Sequence, residues 1–162
     1  MRKLYEYIKE ELDNLLLESV ERLQYKRVNT SLNKIDENTY QITDEYIITV
    51  NDESTLDMKL NLLKRGDKTT LEGSFEKEGS YESTNDNKPY QVFATVFGIL
   101  KDFVDEYQQK YNDEIDKMIF IPFKEEGETD NRRRLIYTRY LRNIFPNYDI
   151  KDKVIGIVLT KK

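Results

Sequence analysis

Residues 39–77 read TYQITDEYIITVNDESTLDMKLNLLKRGDKTTLEGSFEK, and the fold turns on the period of that stretch. Tyr40 and Ile42, then Tyr46, Ile48 and Val50, then Leu56, Met58, Leu60 and Leu62, and last Thr69, Leu71, Gly73 and Phe75 fall at every second position within their runs. Alternation rich in β-branched and aromatic residues marks antiparallel strands with one buried face. Thr43-Asp44, Asn51-Asp52-Glu53-Ser54 and Arg65-Gly66-Asp67-Lys68 have the composition of turns and separate the runs. The stretch is therefore expected to form a β-meander of three or four strands over 39–77. Ile42, Ile48, Val50, Leu60, Leu62 and Phe75 are expected on its buried face.

On the N-terminal side the period changes. Leu4, Ile8, Leu12, Leu15, Leu16, Val20 and Leu23 have the spacing of an amphipathic helix, which predicts a helix over 1–26. Its run Leu15-Leu16-Leu17 is wider than one narrow stripe and serves either the core or self-association with a second copy. Asn29 to Asn38 is polar and mixed and reads as a connector. On the C-terminal side, Glu78 to Lys88 reads as a loop. Pro89 suits a first helical turn, with Asp86 or Asn87 capping it. Val92, Phe93, Val96, Phe97, Leu100, Phe103, Val104 and Tyr107 then make a broad apolar stripe. Met118 to Ile121 reads as a buried strand ended by Pro122, Asn131 to Asn143 as a helix, and Val154 to Leu159 as the last strand. The expectation is one α+β domain over 1–162: N-terminal helix, meander, then an α-β-α-β half over 87–160.

The chain has 162 residues, 35% of them charged, but its 12% aromatic content is that of a folding chain. It has no cysteine and no histidine. That removes disulfides, thiolate and imidazole metal ligands, and the Ser-His and Cys-His nucleophile systems, so no metal site is expected. Met1 to Glu10 is charged and lacks an apolar signal core, and no run has the length of a membrane span. The reading is a cytoplasmic protein with no membrane partner. Net charge −5 argues against nucleic acid as a partner.

A meander, a helix opening after a polar loop, a buried strand, a helix carrying a Tyr and a closing strand together resemble the GNAT-type N-acetyltransferase fold, a mixed sheet with flanking helices, over roughly Tyr40 to Thr160. The loop Ser83-Thr84-Asn85-Asp86-Asn87-Lys88 stands where that family cradles the acetyl-CoA pyrophosphate at a helix N-terminus. The resemblance implies cofactor contacts from Asn85, Asn87 and Lys88. Asn131 to Tyr137 is similar to the family's helix that begins with Asn and presents a Tyr to the thioester, which implies an acid role for Tyr137. A strand carboxylate acts as base in some members, which implies Glu72. The family's phosphate loop is glycine-bearing, and here no glycine lies between Gly79 and Gly98. The segments Tyr90 to Val96, Phe120 to Phe123 and Arg133 to Tyr137 also resemble a group of uncharacterised tailed-phage proteins, which implies a host cytoplasm or a virion as location.

Arg132, Arg133, Arg134, Arg139 and Arg142 crowd one short helix. Cations at a helix N-terminus oppose the macrodipole and call for anions. Those are either the carboxylates of Glu125, Glu126, Glu128, Asp130, Asp113, Glu114 and Asp116, or an external anion or acidic partner held by Arg132, Arg133, Arg134 and Arg139. Two functions follow. The first is a non-catalytic interaction or structural protein, phage-encoded and with a protein partner, on an acetyltransferase-like scaffold without its cofactor. The second is an acyl-CoA-dependent N-acetyltransferase with a degenerate phosphate loop.

Overall fold

The computed structural model describes residues 22–52, 54–78, 89–121, 132–153 and 156–162. Four strands, β1 (Tyr25–Asp36), β2 (Thr39–Asn51), β3 (Ser54–Arg65) and β4 (Lys68–Glu78), form an antiparallel meander. The period of two sets their buried face. Ile48 lies opposite Leu56, Tyr46 opposite Met58, and Leu62 between Ile42 and Leu71, so these side chains share one side of the sheet. Ile48, Leu60, Leu62 and Leu71 are fully buried there, while Ile42 and Phe75 are partly so. The β3–β4 hairpin turns on Gly66, whose φ of 61° suits a glycine-first two-residue loop.

The chain continues through α1 (Pro89–Tyr111), β5 (Lys117–Ile121), α2 (Arg132–Ile144), β6 (Tyr148–Lys153) and β7 (Gly156–Lys161). Asn112, in the left-handed region at φ 48°, closes α1. The sheet has seven strands in the order β1-β2-β3-β4-β5-β7-β6. Its β4–β5 pair is parallel and every other pair is antiparallel. A parallel pair needs a crossover, and α1 supplies it. The apolar stripe of α1, from Val92 to Tyr107, packs into one core with the buried face of β2–β5 and with β7. Phe93 and Phe97 meet Tyr137 and Tyr140 of α2 at centroid distances of 4.9–6.2 Å.

Several expectations are corrected. The described chain is mostly a seven-stranded mixed sheet with two helices, which overturns the acetyltransferase-like layout of an N-terminal helix, a meander and an alternating α-β-α-β half. The supposed connector 29–38 lies within β1, the first strand of the meander. The helix expected over 1–26 does not reach its end, because residues 22–24 are outside any element and Tyr25 and Lys26 are in β1; residues 1–21 lie outside the described residues. Thr43-Asp44 is no turn. It runs through the middle of β2, where Asp44 is buried and bonded by neighbours that remove the need for water. The closing half ends in the hairpin β6–β7 where one strand was expected. No helix of the described residues is long and apolar enough to cross a membrane.

Candidate functional site

β1 lies at one edge of the sheet, and all twelve of its residues are exposed. Helix α1 covers β2 to β4, leaving a groove of about 400 Å³ between β1 and β2 on one side and the C-terminal half of α1 on the other. Leu32, Ile42, Phe103 and Tyr111 give it apolar walls, and Arg27 and Lys110 stand on opposite sides.

Asp44 anchors the strand side. Its side chain is 6% exposed, and Thr30 of β1, directly across the ladder, donates its hydroxyl to Oδ1 at 2.6 Å. The Tyr46 hydroxyl donates to Oδ2 at 2.9 Å, and the half-exposed Arg27 guanidinium stands 3.7 Å from the same oxygen. Burial, reinforced by the Asp44 charge and hydrogen bond, pushes the Tyr46 hydroxyl well above the ordinary phenol range.

The helix side ends in a second polar network. Asp113 Oδ2 accepts from the Tyr107 hydroxyl at 2.7 Å, from the Thr69 hydroxyl at 2.7 Å and from Lys64 Nζ at 2.9 Å. The Tyr40 and Tyr107 hydroxyls are 2.6 Å apart; because Tyr107 gives its proton to Asp113, Tyr40 donates to Tyr107. Burial pulls the Asp113 carboxyl upward, but the bonds from Thr69, Tyr107 and Lys64 outweigh it and leave the group below its ordinary value. Tyr111 stacks on both Tyr40 and Tyr107, with centroids 5.2 and 4.9 Å away. Both networks satisfy themselves with groups from neighbouring strands and helix, and so brace the groove walls.

The residues singled out in the sequence do not assemble here. Glu72 is exposed, and its ladder partners Asn61 and Ile119 place it on the face turned away from α1. Tyr137 is buried, its ring edge-on to Phe93 at 5.0 Å and Phe97 at 5.5 Å. The two are therefore parts of different surfaces. Arg139 is half-buried and engaged by a neighbour. Arg132, Arg133 and Arg134 form the first turn of α2, and their side chains lie outside the described residues, as do Asn85, Asn87 and Lys88. The groove itself was missed in the sequence because one of its walls is β1. A signal was present: Asp36-Glu37-Asn38 precedes Tyr40, and the Asp36 carboxylate accepts the Asn38 N–H at 2.8 Å, the local bond that makes such sequences hairpin turns.

No protein-family model, curated protein or solved structure matches the chain.

Proposed function

We propose that this chain is a non-catalytic interaction protein that takes a polypeptide partner as an added strand along β1, with the adjoining groove receiving the partner's side chains. The observation that carries this reading is the distribution of exposed apolar surface. Six large hydrophobics are exposed among the described residues, and four of them, Tyr25, Val28, Leu32 and Ile35, lie on β1. A long edge strand with apolar side chains offers both the backbone hydrogen bonds and the pockets that strand addition uses. The opposite edge, β6, is half as long and carries Asp149, Lys151, Asp152 and Lys153, the charged character that keeps an edge unpaired.

Random twelve-residue peptides selected on the immobilised protein test the reading. Selected peptides are expected to lose roughly ten-fold or more in affinity for Leu32→Lys and to bind Ile121→Lys normally, since both positions are exposed but only Leu32 lies at the groove. Peptides indifferent to Leu32→Lys would overturn it. Calorimetric titration with acetyl-CoA is expected to be flat, and a stoichiometric isotherm would end the non-catalytic half of the proposal.

A further inference from the structure

We infer that the polypeptide added along β1 is a second copy of this chain, running antiparallel about a two-fold axis through Ser31; the inference rests on the reading of β1 as the binding edge. Its basis is the pattern of faces and bulges in the strand. Opposite β2, the residues Tyr25, Arg27, Thr30, Leu32 and Lys34 share the groove face, and Lys26, Asn29, Ser31, Asn33 and Asp36 share the other. The register shifts between Arg27 and Asn29 and between Lys34 and Asp36, so Val28 and Ile35 are the extra residues of two bulges.

Antiparallel neighbours lie on the same face of a sheet. With the axis at Ser31 this condition holds along the strand. Ser31 faces its own copy, Asn29 faces Asn33 of the second copy, and Lys26 faces Asp36 of the second copy. The outer row then reads ion pair, amide pair, hydroxyl pair, amide pair, ion pair. On the groove face Thr30 and Leu32 exchange places, which continues the apolar wall across the junction. The one like-charge approach is Arg27 to Lys34, and Arg27 already stands beside Asp44. Moving the axis to Thr30 would set the bulge at Val28 against an unbulged stretch and Lys26 against Asn33, which loses the ion pair. Moving it to Leu32 would set Asp36 against Asn29 and leave Lys26 beyond the strand.

The bulges supply selectivity. A straight foreign strand loses register on crossing one, which is how bulges guard edges. In the proposed pair, the interval 26–29 with one extra residue faces the interval 33–36 with the other, so the two intervals have equal length and register is regained at Lys26 and Asp36. The edge thereby favours a strand that carries matching extra residues, as a second copy does, over an arbitrary one.

Twelve residues a side is below the roughly 20–30 of a standard interface, so a micromolar dimer is expected, weakened by salt. Sedimentation of the full chain tests it. Lys26→Asp and Asp36→Lys are each expected to weaken dimerisation roughly ten-fold, because each places like charges at two symmetry-related pairs. Mixing the two variants in equal amounts should restore a heterodimer, since both junctions are then complementary. Ser31→Arg, at an exposed position on the axis, should leave the circular dichroism spectrum unchanged and abolish the dimer. A chain that stays monomeric at millimolar concentration, or a dimer indifferent to Ser31→Arg, overturns the inference. If such a chain still binds selected peptides through Leu32, strand addition at β1 survives and only the identity of the partner falls.

Discussion

At Gly73 a side chain would have nowhere to go. A Cβ there would lie 2.6 and 2.7 Å from two ring carbons of Phe120, its parallel partner on β5. The ring cannot move away freely, since Phe120 is 3% exposed within the core. Gly73→Ala is therefore expected to cost about 1–3 kcal/mol by overpacking, and Phe120→Ala about 3–5 kcal/mol by leaving a cavity. The two are coupled: in the double variant the new methyl enters the space that the ring vacates, so the loss should fall short of the sum by about 1 kcal/mol or more. Urea unfolding of the four-protein cycle measures this. Simple additivity would mean that the ring does not fill the space over the glycine.

Among the elements, β1 depends on its neighbours more than any other strand described. Among the described residues its only strand partner is β2, and none of its side chains is buried, so ladder hydrogen bonds, the Thr30 and Arg27 contacts with Asp44 and the Tyr25–Tyr46 ring contact hold it in place. Asp44→Ala removes the acceptor of both Thr30 and Tyr46. The expected cost is about 2–4 kcal/mol, the range for charged hydrogen bonds lost from a buried site. Hydrogen exchange should show the loss concentrated in β1, whose amides exchange faster while those of β3 and β4 keep their protection. Uniform loss would mean that Asp44 supports the whole sheet. The same features explain what was legible in the sequence. β2, β3 and β4 bury one face each, and burial writes a period of two into Tyr46, Ile48, Leu56, Met58, Leu60 and Leu62. α1 buries a stripe and shows its 3.6 period from Val92 to Tyr107. β1 buries neither face, so no period of two is written into its side chains and only the Asp36 turn at its end marks it. Asp44 misled for the opposite reason, because Asp favours turns in solution and only the tertiary partners Thr30, Tyr46 and Arg27 make it a strand residue.

For the molecule as a whole, alkali is the condition that its polar interior resists least. Three tyrosine hydroxyls donate to acceptors that hold their protons: Tyr46 to Asp44, Tyr107 to Asp113, and Tyr148 to the Ile115 carbonyl. Burial first, then neighbouring carboxylates and hydroxyls, raises all three above the ordinary value of 10.0, with Tyr148 pushed up to about 12 and Glu114 and Asp116 contributing there. In the unfolded chain each ionises near that ordinary value. Between the two values the unfolded state has released protons that the folded state keeps, so stability is full below pH 10 and falls as pH rises above it. Each group contributes a slope of about 1.4 kcal/mol per pH unit, and the two well-buried ones, Tyr46 and Tyr107, together approach about 2.7 kcal/mol per unit. Asp113, held below its ordinary value of 3.8, acts with the opposite sign: its contribution is present above that pH and is lost as pH falls through the lowered folded value. Urea unfolding on either side of pH 10 measures the alkaline slope, and tyrosinate absorbance during unfolding shows whether these hydroxyls ionise only when the chain opens. A competing cause exists, since a chain of net charge −5 becomes more negative as its lysines lose their protons. Tyr107→Phe separates the two. It leaves the charge of the folded chain unchanged at neutral pH and should lower the slope by about 1.4 kcal/mol per pH unit; an unchanged slope would assign the alkaline loss to charge repulsion and not to the buried tyrosines.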